Sequence, residues 1–192
     1  MHFIPMDPRL IAGVVVIVLI IVVSVALYVQ KQRRATAGLR KRFGSEYDRA
    51  VIEHGSQHKA EAKLADRETR VENLKIRDLG VTERERFLAE WRAVQSRFVD
   101  HPKTAVTEAD ELVSSLMLAR GYPVADFDQR AADISVNHPH LVDYYRSAHG
   151  VASRPGREEA STEDLRNALI QYRTLIDELS DVKTSGGIEA VA

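Results

Sequence analysis

The chain contains no cysteine, and aromatic residues make up only 6% of its 192 residues. Without cysteine there can be no disulfide bond, no thiolate metal site and no cysteine nucleophile. The sequence also lacks a phosphate-binding loop, a dinucleotide-binding fingerprint and a nucleophile elbow. No stretch alternates polar and apolar residues over enough positions to form a strand. These absences favour an all-α fold.

The longest apolar run covers residues 10–29, twenty consecutive residues without a charge: LIAGVVVIVLIIVVSVALYV. As a helix it would be about 30 Å long, which matches the hydrocarbon core of a bilayer. Because lipid offers the backbone no hydrogen-bond partner, a lone segment crosses the membrane only as a helix. The run therefore predicts a transmembrane helix over 10–29, after a short extracytoplasmic N-terminus of residues 1–9.

Basic residues follow this run closely. Six cations fall within twelve residues: Lys31, Arg33, Arg34, Arg40, Lys41 and Arg42. Such residues resist translocation, so the side that carries them stays cytoplasmic, and a cleaved signal peptide would carry its charges before the run. We predict a single-pass protein of the cell inner (plasma) membrane, with a basic juxtamembrane segment over 30–44, lipid contacts over 10–42 and a cytoplasmic C-terminal domain.

The remainder of the chain is acidic. From residue 43 onward, 20 Lys and Arg stand against 27 Asp and Glu, a net charge of −7. Affinity for nucleic acid depends largely on neutralised phosphates. An acidic domain without a basic stripe therefore predicts no nucleic-acid partner.

Helical periodicity predicts one helical domain over 45–182. Residues 45–75 are mostly charged with sparse apolar positions, which predicts a stalk or an outer helix that Gly55-Ser56 could divide. Residues 76–182 predict a small bundle whose amphipathic helices cover one another's apolar faces, with Trp91 in the core. The helix starts are assigned to a capping box of Thr82 and Glu85, to Pro102, to Asp126 and to Ser161 or Thr162. Residues 183–192 predict a disordered tail.

The segment between Gly121 and Arg146 reads as the irregular part of the bundle. It concentrates aromatic and arginine side chains, which dominate binding hot spots. The predicted interaction residues are Tyr122, Phe127, Arg130, Tyr144, Tyr145 and Arg146. The alternative is that these aromatics close one end of the bundle.

Two groups of histidines are candidates for a metal site by their spacing. His54 and His58 have i, i+4 spacing, but Gly55 stands where a zinc protease has glutamate. His138, His140 and His149, together with Asp143, are the candidate metal ligands. No catalytic set converges, so no catalytic residue and no cofactor is predicted.

Four segments carry a family resemblance: RFGSEYDRAV, FLAEWRAVQSRFVDHPKTAVTEADELV, ARGYPVADFDQRAADISVNHP and TEDLRNALIQYR. Together with the apolar run, they resemble a family of uncharacterised bacterial single-pass inner-membrane proteins with a C-terminal all-α domain. The resemblance implies a bacterial inner-membrane location. It implies no activity and no catalytic residue.

The sequence favours a membrane-anchored cytosolic helical domain that serves as a protein-interaction or scaffold module. An alternative is a metal- or ligand-binding domain, including an enzyme, that uses the His, Asp and Tyr residues of 138–149. A third reading is a stress-related protein that acts at the membrane surface through residues 31–42.

Overall fold

A computed structural model describes the backbone of residues 8–154 and 160–180, with side chains from residue 17 onward. Within these ranges the chain is helical and contains no strand, which confirms the all-α class. The chain divides into two units, residues 1–42 and 43–192. The predicted tail over 183–192 lies outside the described residues.

From residue 8 onward the first unit lies in one long helix, α1 (Pro8–Phe43), which runs without a break through the basic residues and ends at the first residue of the second unit. The side chains of residues 17–29 are exposed. Among the described residues, no helix combines the length and apolar character required of a membrane span. The transmembrane helix predicted over 10–29 is therefore not supported there. The side chains of residues 10–16 lie outside the description, and residues 17–29 alone make only about 20 Å of helix.

The second unit contains seven described α-helices and one 3-10 turn. They are α2 (Ser45–His54), α3 (Gln57–Glu72), α4 (Val81–Arg97), α5 (Pro102–Ala119), α6 (Phe127–Asn137), the turn Pro139–Leu141, α7 (Val142–Ala152) and α8 (Thr162–Ser180). Helix α5 packs against α4, α7 and α8, and α7 also packs against α8. These helices form a bundle around one apolar core.

The apolar faces predicted for α4, α5 and α8 meet in this core. Phe87, Trp91 and Val94 on α4 are all buried, and Trp91 is 4% exposed. The main buried cluster joins them to Val113 and Leu116 on α5, to Tyr172 and Ile176 on α8, and to residues of α6 and α7. The predicted burial of Trp91 is confirmed.

The N-terminal caps of two helices are those that the sequence predicts. Ser161 caps α8, because its Oγ accepts the Asp164 N–H at 3.1 Å, and Asp126 caps α6 by accepting the Gln129 N–H at 2.8 Å. The predicted Thr82–Glu85 capping box is wrong. Helix α4 begins at Val81, and the Glu83 carboxylate accepts the Gly80 N–H at 3.0 Å. Arg77 also donates hydrogen bonds to this carboxylate, and these contacts favour Glu83 over Glu85 as the capping residue.

Residues 45–75 do not form a stalk. Helices α2 and α3 fold back on each other, and α3 packs on α6. Gly55, with φ +69°, ends α2 in a left-handed conformation, and the Ser56 Oγ accepts the Lys59 N–H to begin α3. The outer-helix alternative is therefore the correct one, in the form of two helices that we call the α2–α3 hairpin. His54 and His58 lie in different helices and share no helical face.

A glycine fixes the turn after α5. Gly121 has φ +96°, and a Cβ atom at this position would collide with the Lys75 carbonyl oxygen. The same turn carries the backbone hydrogen bond from the Arg77 N–H to the Arg120 carbonyl oxygen at 2.8 Å. Only glycine fits this close approach, which places the 73–80 connection against the end of α5.

Candidate functional site

The predicted interaction surface between residues 122 and 146 is largely core. Tyr122 is 2% exposed and Tyr145 is fully buried, whereas Tyr144 is 45% exposed. The segment is also less irregular than predicted, because α6 and α7 occupy most of it. Assigning Tyr122 and Tyr145 to a contact surface was wrong. Their burial favours the alternative in which the aromatics close the bundle.

Arg130 serves this buried arrangement. Its Nε donates to the Tyr145 hydroxyl at 3.0 Å, and its Nη1 donates to the Ala125 carbonyl oxygen at 2.7 Å. Burial raises the pKa of Tyr145. Arg130 therefore supplies a hydrogen bond to a tyrosine hydroxyl that is shielded from water. The same contact ties α6 to α7.

Arg146 is a second structural tie. Its Nε and Nη2 donate to the two Glu46 carboxylate oxygens at 3.1 and 3.4 Å, and its Nη1 donates to Asp128 at 3.3 Å. Glu46 is 1% exposed, and Arg67 also donates to it at 3.3 Å. Glu46, Arg67 and Arg146 thus form a buried charge cluster that joins the α2–α3 hairpin to α7.

A further polar network lies among α5, α7 and α8. The Tyr172 hydroxyl donates to Asp110 Oδ1 at 2.8 Å, and His149 Nδ1 lies 3.1 Å from the same oxygen. The His149 ring stacks on the half-buried Phe127, with centroids 3.8 Å apart and planes at 7°. Burial, and then the charge of Asp110, raises the pKa of Tyr172.

Sequence reasoning missed the role of Asp110. The available signal was a carboxylate set between Ala109 and Val113, two residues of the buried face of α5. A charge at the edge of an apolar face needs partners, and both of its partners lie far along the chain. The network holds the His149 imidazole between the Asp110 carboxylate and the Phe127 ring. Because Asp110 also accepts from Tyr172, these contacts orient α5, α7 and α8 relative to one another.

The histidines predicted as metal ligands do not converge. His138 Nδ1 and His140 Nε2 both approach Glu178 Oε1, at 3.5 and 3.7 Å, whereas His149 contacts Asp110. Across the described residues, no group of three His, Asp or Glu side chains is arranged to hold a metal ion. The alternative function, a metal- or ligand-binding domain that uses residues 138–149, therefore lacks a site that its three histidines share.

An open groove of about 550 Å³ runs between α7 and α8. Val151, Ala168 and Ile170 give it an apolar part, and Ile170 is 52% exposed. Arg146 and Arg154 add basic side chains to its lining, and Gly150 also lines it. The groove thus presents apolar and basic groups side by side.

On α1, the six predicted topology residues form a basic collar, defined as Lys31, Arg33, Arg34, Arg40, Lys41 and Arg42. All six side chains are exposed. At about 100° per residue, the pairs 31 and 42, 33 and 40, and 34 and 41 point in three different directions. The collar therefore spreads over about 200° of the helix circumference and is not confined to one narrow face.

Comparisons with protein-family models, curated proteins and solved structures gave no match. The resemblance to bacterial single-pass membrane proteins stays a prediction.

Proposed function

We propose that this protein is anchored in the bacterial inner membrane by α1 and that its cytoplasmic helical domain binds another protein close to the membrane. The N-terminus lies outside in this proposal. The observation that carries it is the order of residues along α1, where an exposed apolar stretch is followed directly by the basic collar.

The apolar side chains of α1 support a lipid environment. From Ile17 to Tyr28 the large apolar side chains are 51–68% exposed. Contiguous apolar surface of this kind marks a contact with lipid or with another apolar surface. The twenty-residue run of which they are part has the length for a membrane-spanning helix.

The basic collar supports the same environment. Lipid headgroups surround a helix that leaves a bilayer, and the collar presents cations in three directions. Each cation near an anionic surface contributes about 1 kcal/mol. Cations on this side of the span also favour cytoplasmic retention of the domain that follows.

The domain supports contact rather than turnover. Three ion pairs, each with a buried partner, tie separate parts of the domain together: Arg146 with Glu46, Arg70 with Asp133, and Arg120 with Asp78. A catalytic group has to face substrate. Groups engaged in these ties serve the fold, and the exposed surface is left for recognition.

Orientation is tested with a reporter fused after residue 180. The fusion should be active in the cytoplasm and silent outside, and the protein should stay in the membrane fraction after alkaline extraction. Replacing all six collar cations with glutamine should weaken the orientation bias. As a matched control, six Lys or Arg residues beyond residue 43 are replaced instead. Recovery in the soluble fraction, or labelling of the C-terminus by an impermeant reagent in intact cells, would contradict the proposal.

A further inference from the structure

We propose that His149 is a phosphoryl acceptor, whose Nε2 atom takes the phosphoryl group of an acyl phosphate, and that Asp110 and Arg130 are positioning residues for this transfer. The inference goes beyond the proposed function and does not rest on it, because the reaction needs neither lipid nor a bound protein partner. Its basis is an imidazole held between a carboxylate and an aromatic ring, with a guanidinium in the same network.

Asp110 sets the chemistry of the two ring nitrogens. His149 Nδ1 lies 3.1 and 3.2 Å from the two carboxylate oxygens of Asp110. A carboxylate beside one ring nitrogen holds the proton there, and the lone pair of the neutral ring is then on the other nitrogen. Neutral His149 therefore has its lone pair on Nε2. A nucleophile oriented by a hydrogen-bonded neighbour is the arrangement that covalent group transfer requires.

The Nε2 atom is open to an incoming group. The side chain of His149 is 24% exposed. Within the part of the chain that the structure describes, Nε2 has no hydrogen-bond partner, and it is not a buried atom. The nitrogen with the lone pair is therefore the one that solvent and a small donor can reach.

The orientation of the imidazole is fixed before a donor arrives. The ring stacks on Phe127, with centroids 3.8 Å apart and planes at 7°, and its centroid lies 6.5 Å from that of Tyr145. Asp110 is held as well, because it accepts the Tyr172 hydroxyl at 2.8 Å. A nucleophile whose tautomer and orientation are both set loses little freedom when it reacts.

Arg130 supplies a cation that lacks a counter-ion. Its Nε and Nη1 donate to the Tyr145 hydroxyl and to the Ala125 carbonyl oxygen, and among the described residues it pairs with no carboxylate, although it is half-buried. Burial raises the pKa of Tyr145 and of Tyr172, and the charge of Arg130 opposes the rise at both. The guanidinium is therefore within electrostatic reach of the hydroxyl that Asp110 accepts. Guanidinium is a preferred partner of phosphate.

The transfer balances without a further reactant. The Nε2 lone pair forms the N–P bond while the bond between phosphorus and the acyl oxygen breaks, and the leaving carboxylate takes that electron pair. Nothing is oxidised or reduced, and Nδ1 keeps its proton. The positive charge that the ring acquires is offset by Asp110, and Arg130 offsets the charge of the phosphoryl group.

The test incubates the full chain, in vesicles, with acetyl phosphate and maps the label by mass spectrometry of peptides. We expect a label on His149 that is stable in base and lost in acid, which distinguishes phosphohistidine from phosphoserine and from an acyl phosphate on a carboxylate. His140 is the internal control, because its side chain is 59% exposed. Labelling that follows accessibility alone would favour His140, whereas we expect about tenfold or more label on His149 relative to His140.

Variants test the two positioning residues. Asp110→Asn no longer holds the proton on Nδ1, and Arg130→Gln removes the cation, so each should lower the labelling rate of His149 about tenfold or more. Nitrogen NMR should show the proton of His149 leaving Nδ1 in Asp110→Asn, and Arg130→Lys should recover most of the rate. His140→Gln is the matched control and should leave the rate unchanged. Thermal unfolding shows which variants are folded, and the mapping on the unchanged chain does not depend on any of them.

Each other outcome contradicts the proposal. Label on His140 equal to that on His149, a label that survives acid, or no label at all would overturn the acceptor role of His149. An unchanged rate in a folded Asp110→Asn or Arg130→Gln variant would overturn the positioning role of that residue. None of these results bears on the membrane anchor, which the orientation test decides separately.

Discussion

The apolar side chains over 17–29 of helix α1 are exposed, whereas those in the core of the helical domain are buried. In α1, Ile20 is 59% exposed and Leu27 is 60% exposed, whereas in the domain Phe87 is 1% exposed and Tyr145 is fully buried. Removing apolar surface from water is the main favourable term in folding. The domain satisfies this requirement within itself. The apolar side chains of α1 have to find another apolar environment, and lipid is the one proposed here.

The largest effect should come from breaking the packing inside the domain. Trp91→Ala removes a side chain that is 4% exposed in the main core. We expect a loss of about 3–5 kcal/mol in the free energy of unfolding, since a cavity replaces the indole. Denaturant unfolding of the full chain, followed by circular dichroism, measures it.

The matched substitution in α1 is Ile20→Ala. Because Ile20 has no described packing to lose, the unfolding of the domain should be unchanged within about 0.5 kcal/mol. A near-neutral Trp91→Ala, or an equal effect of both substitutions, would contradict the comparison.

A second contrast lies within the domain, between the main core and the α2–α3 hairpin. The buried hairpin residues Tyr47, Ala50, Ala60, Leu64 and Val71 are outside the main cluster. Polar ties supplement this smaller contact: Arg146 with Glu46, Arg70 with Asp133 at 3.2 Å, and Ser45 with Asp143 at 2.7 Å. The hairpin should therefore depend more on charge pairing than the main core does.

Arg146→Ala tests this dependence. It leaves the buried Glu46 with one fewer guanidinium, so we expect a loss on the order of 2 kcal/mol in the free energy of unfolding, reduced because Arg67 remains. Amide hydrogen exchange should accelerate more in residues 45–72 than in α5. Arg166→Ala is the control, since Arg166 is 65% exposed and lies 3.7 Å from Glu163. Equal protection of the hairpin in the wild type and in Arg146→Ala would show that the tie is not needed.

The smallest effect should come from the capping carboxylate of α4. Hydrogen bonds from Arg77, and then from the Gly80 N–H, lower the pKa of Glu83 to about 2. Because the folded-state pKa is depressed, its contribution to stability is present above the unfolded pKa of about 4.3 and is lost as pH falls through the folded pKa. A carbon-detected NMR titration of the Glu83 carboxyl measures this pKa directly.

Arg77→Ala should move that titration towards the ordinary range, because it removes the larger cause of the shift. The acid-dependent contribution of Glu83 to stability should then be smaller, because the folded-state pKa lies closer to the unfolded one. An unchanged Glu83 midpoint in this variant would show that the Gly80 N–H alone sets the pKa.

Signals local in sequence allowed most of the fold to be predicted. The period of Phe87, Trp91 and Val94 identified a buried face, and Asp126 and Ser161 identified helix starts. The cap of α4 was predicted two residues too late because Thr82 and Glu85 match the capping-box motif, whereas Gly80 has no side chain and supplies no such signal. The Arg77 contact, which favours Glu83, comes from outside the motif.

Pairings over long range could not be predicted. Glu46 and Arg146 are 100 residues apart, and nothing in either neighbourhood shows that they meet. The stalk prediction was wrong for the same reason. The α2–α3 hairpin has few apolar residues, and ion pairs with residues far along the chain help to hold it on the domain. The aromatics between 122 and 146 were read as surface because their number suggested recognition, although Tyr122 and Tyr145 are buried.

The most direct test of the proposed anchor is a spin-label scan of α1. The chain contains no cysteine, so single substitutions to cysteine over 17–42 give uniquely labelled proteins. In vesicles that contain anionic lipid, we predict high accessibility to oxygen at every position from 17 to 29. Accessibility to a water-soluble relaxing agent should rise through the basic collar. An accessibility pattern with a 3.6-residue period over 17–29, with one face open to water, would show that α1 covers its apolar side chains with protein and would contradict the anchor.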